Sequence, residues 1–131
     1  MLPRFAHTAA MIKSIKFTSI AVRDQDAALE FYTKKLGFMI LTDQPFNDKQ
    51  RWIELGISGA QTGLVLFTPP GHEDRVGSFS GISFLCDDVQ ETYEQFNSRG
   101  VEFVKPPKTE PWGTSAIFKD PDGNQFVLGT K

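Results

Sequence analysis

Side chains able to do chemistry are scarce in this sequence. It contains two histidines, His7 and His72, and one cysteine, Cys86. His72 stands in the run Pro69-Pro70-Gly71-His72-Glu73-Asp74-Arg75, whose turn formers read as a linker. In such a linker it is expected to be solvated rather than to act as a general base, and it lacks a plausible partner for a Ser-His-Asp arrangement. Cys86 closes a hydrophobic run and is expected to face a helix as an inert core thiol. The pairs Asp24/Asp26 and Asp87/Asp88 look like acid–base dyads, but each stands where a helix begins and its oxygens can accept from free backbone N–H groups. Glycines are scattered at turns, without a phosphate-cradling pattern. Arg51 and Glu54 share one strand, where one of them can meet a ligand's charge or both can pair at the surface. Trp52 and Trp112 offer flat indole faces for stacking. Phe46, between Pro45 and Asn47, is expected either to move as a lid or to anchor its loop.

The elements that must position these residues follow from periodicity. Ile12–Val22 is short, apolar and β-branched, and reads as a strand. From Asp24 to Gly37, Ala28, Phe31, Tyr32 and Leu36 recur at helical spacing, with Lys34 and Lys35 near the end and Gly37 as the stop. Strands are predicted over 38–43, 51–56 and 63–68, the last carrying Leu64-Val65-Leu66-Phe67, apolar on both faces. After the linker the pattern restarts. A strand spans 79–86, a helix carries Val89, Tyr93 and Phe96 and ends at Gly100, and strands follow over 101–105, 115–119 and 125–128. Asp120-Pro121-Asp122-Gly123 suits a type I turn.

The restart is an internal repeat, in which Val22-Arg23-Asp24 matches Cys86-Asp87-Asp88 and Gly37-Phe38 matches Gly100-Val101. The sequence therefore predicts an α+β fold of two tandem βαβββ modules, residues 12–70 and 78–131, after a disordered leader over 1–11. Each unit is too small to bury its own sheet face, so two must pack side by side or pair with another chain.

Composition narrows the function classes. Net charge is −2 and charged residues make up 23% of the chain, with no basic run, so there is no electrostatic footprint for nucleic acid. No apolar stretch reaches the roughly 18–20 residues that span a bilayer, and the leader lacks the apolar centre of a secretion signal. A single Cys excludes an intrachain disulfide framework and a cysteine-based zinc cluster. A cytoplasmic domain is expected, rich in phenylalanine, with 12 Phe against 2 Tyr and 2 Trp.

Two segments carry a family resemblance. One is Val22-x-Asp24 leading to Phe31-Tyr32 and Leu36-Gly37-Phe38; the other is Trp112-Gly113 followed by Phe118-x-Asp120-Pro121-Asp122-Gly123-Asn124. Together with the half-repeat they make the chain resemble the vicinal oxygen chelate superfamily, which includes glyoxalase I, extradiol dioxygenases, fosfomycin-resistance transferases and bleomycin-binding proteins. The resemblance implies a curved mixed sheet around a central cavity, commonly in a homodimer. It also implies four inward-facing ligands for a divalent ion, usually His, Glu or Gln. The matching positions here are Phe17, Leu66, Gly81 and Val127, none with a donor atom, and neighbours such as Val65, Phe67, Ile82, Phe126 and Leu128 are equally inert.

Strand alternation then predicts an apolar, aromatic lining with sparse polar handles. Its residues are Phe17, Ser19, Phe46, Trp52, Leu66, Thr68, Gly81, Ser83, Trp112 and Val127. Such a cavity suits a small, largely apolar or aromatic molecule held without metal or cofactor. Sequestration in the manner of the bleomycin-binding branch is the leading expectation. A metal-dependent lyase, glyoxalase or dioxygenase with a non-standard site remains open, as does an interaction module whose core is filled by Phe17 and Leu66.

Overall fold

The computed structural model describes residues 11–68, 70–71 and 73–130. The proposed leader up to residue 10, with His7, and the linker residue His72 lie outside the described residues. In chain order the elements are β1 (Phe17–Ala21), α1 (Gln25–Glu30), which continues as a π-helical segment (Phe31–Lys35), then β2 (Met39–Pro45), β3 (Arg51–Gly56) and β4 (Gly63–Phe67). The second half contains β5 (Phe79–Leu85), α2 (Val89–Ser98), β6 (Glu102–Glu110), β7 (Gly113–Lys119) and β8 (Gln125–Gly129). Asp24 caps α1 by accepting from the N–H groups of Asp26 and Ala27, and Asp88 caps α2 by accepting from that of Glu91. Among the described residues no helix is long and apolar enough to cross a membrane.

The fold is α+β with two βαβββ modules. The strands form two separate four-stranded mixed sheets, ordered β1-β4-β3-β2 and β5-β8-β7-β6, rather than one continuous sheet. In each module the first strand runs parallel to the last and the others pair antiparallel. β1 is shorter than the run from Ile12 suggests. Only Phe17–Ala21 find partners on β4, and Ile12 and Ile15 remain exposed.

One core serves both modules. Ile20, Ile53, Leu55, Leu64 and Leu66 from the first sheet and Ala116, Phe118, Phe126 and Leu128 from the second join a single buried cluster with Phe31, Tyr32, Leu36 and Val89. Cys86 packs half-buried against this cluster. A polar staple ties the halves together. Asp120 accepts from the Tyr32 hydroxyl at 2.7 Å and from Asn124 Nδ2 at 2.9 Å, and Asn124 Nδ2 also donates to the Ala21 carbonyl at 2.8 Å. Beside it, Arg23 bonds Asp122 through its backbone N–H and its guanidinium. Burial pushes the Asp120 carboxyl above the usual carboxylate range, against the opposing pull of hydrogen bonds from Asn124 and Tyr32. Burial, and then the neighbouring Asp120, raise the Tyr32 hydroxyl far above an ordinary phenol.

Candidate functional site

Register decides which side chains share a face. Phe17, Ser19 and Ala21 of β1 lie opposite Gly63, Val65 and Phe67 of β4, and Val65 lies opposite Glu54 of β3. Glu54 in turn pairs with Thr42, and Trp52 with Gln44, on β2. Paired residues project to the same side of a sheet, so this set forms the face turned away from the helices. Here the Phe17 and Trp52 rings meet edge to face, 5.5 Å between centroids at 79°. Phe46 follows β2 directly, and its ring lies 6.1 Å from that of Trp52. Its backbone N–H bonds the Gln50 carbonyl, while the Asn47 side chain accepts from the N–H groups of Lys49 and Gln50. A short polar turn thus holds Phe46 over Trp52. Three of the sequence-predicted lining residues converge here, with Ser19 exposed on the same face.

Leu66 and Thr68 do not join them. Leu66 pairs with Ile20 and Ile53 and is fully buried on the helix side. The backbone N–H and hydroxyl of Thr68 both bond the Gln50 side chain. Their phase along the strand is the helix-facing one, so the β4 position on the face of Ser19 and Glu54 is Val65, itself buried and one residue from the sequence expectation. A run apolar on both faces carries no signal for choosing between the two phases.

The second sheet repeats the arrangement with smaller side chains. Ser83 pairs with Val127, Val127 with Ile117, and Gly129 with Ser115. Gly81 lies where β5 carries extra residues relative to β8, at φ +75, and a Cβ there would meet no heavy atom within 4 Å. This left-handed bulge suits glycine. Matched through the repeat, Phe17 faces the role of Gly81, Trp52 that of Ser115, Phe67 that of Gly129 and Glu54 that of Ile117. At these matched positions the first sheet carries rings and a carboxylate where the second carries small or aliphatic groups, while the same face of the second sheet holds Phe79 beside Gln125 and, on β6, Lys105 and Lys108. Trp112 stands apart at the tip of the β6–β7 hairpin, 78% exposed and without a ring contact among the described residues.

Among the described residues, the ten predicted lining residues are divided between different faces and clefts rather than gathered in one. A cleft of about 460 Å³ lies at the seam between the β3–β4 turn and β5, lined by Thr18, Leu64, Ile82, Ser83 and Phe84 among others. Another, of about 380 Å³, lies beside the start of α1 and includes Thr68. The Phe17–Trp52–Phe46 face is open to one side, so Phe17 does not plug a core. Phe17→Ala should accordingly cost about 1–2 kcal/mol, partial burial plus one aromatic pair, in chemical denaturation. A filled core would lose about 3–5 kcal/mol, and a loss of that size would overturn this assignment.

The positions that the resemblance matches to the family's chelating groups, with Val65 taking the place of Leu66, hold a phenyl ring at Phe17, isopropyl groups at Val65 and Val127, and hydrogen at Gly81. These do not fit a divalent cation, which needs several oxygen, nitrogen or thiolate donors at once. Among the described residues, no three His, Cys, Asp or Glu side chains gather in metal-binding geometry. The two charged residues of β3 behave differently. Arg51 is held by Asp43 through Nε and by Asp26 through Nη1, each at 2.8 Å. Glu54, on the aromatic face, makes no hydrogen bond or ion pair among the described residues.

This geometry agrees with relationships across the whole chain. Residues 4–128 match the Glyoxalase/Bleomycin resistance protein/Dioxygenase superfamily. The chain belongs to that superfamily. Within it, the crystal structure of a member from Sphaerobacter thermophilus DSM 20745 superposes with a TM-score of 0.85 at 38% identity, covering 93% of this chain and 100% of that one. TnmS3, an antibiotic binding protein from Streptomyces sp. CB03234, superposes with a TM-score of 0.83 at 36% identity, covering 93% and 98%. The uncharacterized protein YetH of Bacillus subtilis (strain 168) is 39% identical over 118 residues, 90% of this chain and 98% of that protein. Superfamily membership establishes the fold; the side chains on the open faces must carry the function.

Proposed function

We propose that this protein binds a small, largely apolar or aromatic molecule without a metal ion, and protects by sequestering it. The observation that carries this reading is the Phe17–Trp52–Phe46 cluster, whose Phe17 is one of the positions that the family resemblance matches to a chelating group and which offers flat rings instead of donors. Aromatic faces of this kind hold planar ligands by area and stacking, without chemistry. The likeness to an antibiotic-binding protein supports an antibiotic as the ligand class. A homodimer suits the open faces. Edge strand β2 exposes Met39, Ile40 and Leu41, and β5 exposes Phe79 and Leu85; a second copy covering them would enclose the ligand. Light scattering at micromolar concentration should then give twice the chain mass.

The test is a thermal-melt screen in excess chelator against antibiotics and aromatic metabolites. A ligand at about 100 times its Kd adds roughly 2.7 kcal/mol and raises the melting temperature by several degrees. A flat screen, with shifts appearing only after a transition metal is returned, would replace this reading with a metal-dependent one.

A further inference from the structure

Glu54 is the one charged side chain on the aromatic face of β3 and β4, and several features set it apart from a surface carboxylate. It is partly buried, between Val65 on one neighbouring strand and Thr42 on the other. Its side chain leans across Gly63: a Cβ at that glycine would come within 2.7 Å of Glu54 Oε2. The small residue thus makes room for the carboxylate to lie along the face. Arg51 does not neutralise it, being held by Asp43 and Asp26. Lys16, whose carbonyl accepts from the Gly63 N–H, forms no ion pair with it. Arg75 lies with its guanidinium over the Phe67 ring, 5.2 Å from the centroid.

An apolar ligand seated on Phe17 and Trp52 would strip water from an unpaired carboxylate, which is costly unless the ligand supplies a partner. A protonated amine supplies one, and beside aromatic rings it gains cation–π attraction as well as a charge-assisted hydrogen bond. We propose that Glu54 is the specificity-determining residue of this site and that the ligand class is a planar aromatic bearing a protonated amino group. The proposal rests on the aromatic face being a ligand site; what it adds is the charge of the ligand and the residue that reads it.

Calorimetric titration with matched probes separates the two levels. The probes are naphthalene, acridine and pyrene, each carrying either an aminomethyl or a hydroxymethyl group. They are titrated into the wild type, Glu54→Gln and Trp52→Ala, with circular dichroism melts to verify folding. The wild type should bind at least one aminomethyl compound tenfold or more tighter than its hydroxymethyl partner. Glu54→Gln, of nearly the same shape, should erase that preference while changing hydroxymethyl binding less than about twofold. Trp52→Ala should weaken both members of the pair. A preference that survives in Glu54→Gln, or no preference in the wild type, overturns the role of Glu54 and leaves the site reading intact. Binding of neither series overturns both.

Discussion

Phe118→Ala is expected to lower the unfolding free energy by about 3–5 kcal/mol, the range for deleting a phenyl ring from a packed core. Phe118 is fully buried on β7. Its ring lies 5.5 Å from that of Phe126, 5.8 Å from those of Phe96 and Phe103, and 6.1 Å from that of Phe84. Those four neighbours belong to β8, α2, β6 and β5, elements fixed by their own hydrogen bonds, so they cannot close over the gap. The damage should also cross between modules, because Phe84 meets Phe38 of the first module at 5.6 Å. Urea denaturation measures this as a shift of the midpoint with an unchanged slope. Phe79→Ala, at a 57% exposed position in the same module, is the control and should cost less than about 1 kcal/mol. A loss below about 1.5 kcal/mol for Phe118→Ala would mean that the second module repacks freely.

What was legible in the sequence was local or periodic. Asp24 and Asp88 announced their helices because a cap needs only its own first turn. The repeat predicted the second module from the first, and the superfamily resemblance extended this to the whole fold. Leu66 was misplaced because Leu64-Val65-Leu66-Phe67 is apolar on both faces, and only pairing with Ile20 and Ile53 reveals its phase. β6 runs past its expected end through Pro106 and Pro107. Prolines read as a stop, yet an edge strand with irregular register tolerates them. That extra length carries Trp112 out to a hairpin tip, away from the cavity lining the sequence assigns it to. Arg51 and Glu54 looked equivalent as two charges in one strand. Their difference comes from partners remote in sequence: Asp26 and Asp43 claim the arginine, and among the described residues nothing claims the glutamate.

The Asp120 staple is the other point where sequence showed only a turn, and its removal should be nearly as damaging. The carboxylate accepts four hydrogen bonds: from the Tyr32 hydroxyl at 2.7 Å, and from Asn124 Nδ2, Asn124 N and Asp122 N at 2.9 Å each. Asp120→Ala leaves several buried donors without an acceptor and should cost about 3–4 kcal/mol in chemical denaturation. Tyr32→Phe should cost about 1–2 kcal/mol. The double variant should fall short of the sum, since both changes delete the same contact. Full additivity would mean that the hydroxyl and the carboxylate do not cooperate. The pH dependence has a definite sign. Burial is the largest influence on Asp120 and raises its pKa in the folded state, so folding favours the protonated carboxyl. That contribution is complete below the ordinary carboxylate range and is lost as pH rises through the raised value. The stability advantage of the wild type over Asp120→Asn should therefore grow as pH falls from 7 to 4. An advantage that shrinks over that range would show instead that the hydrogen bonds from Asn124 and Tyr32 outweigh the loss of hydration.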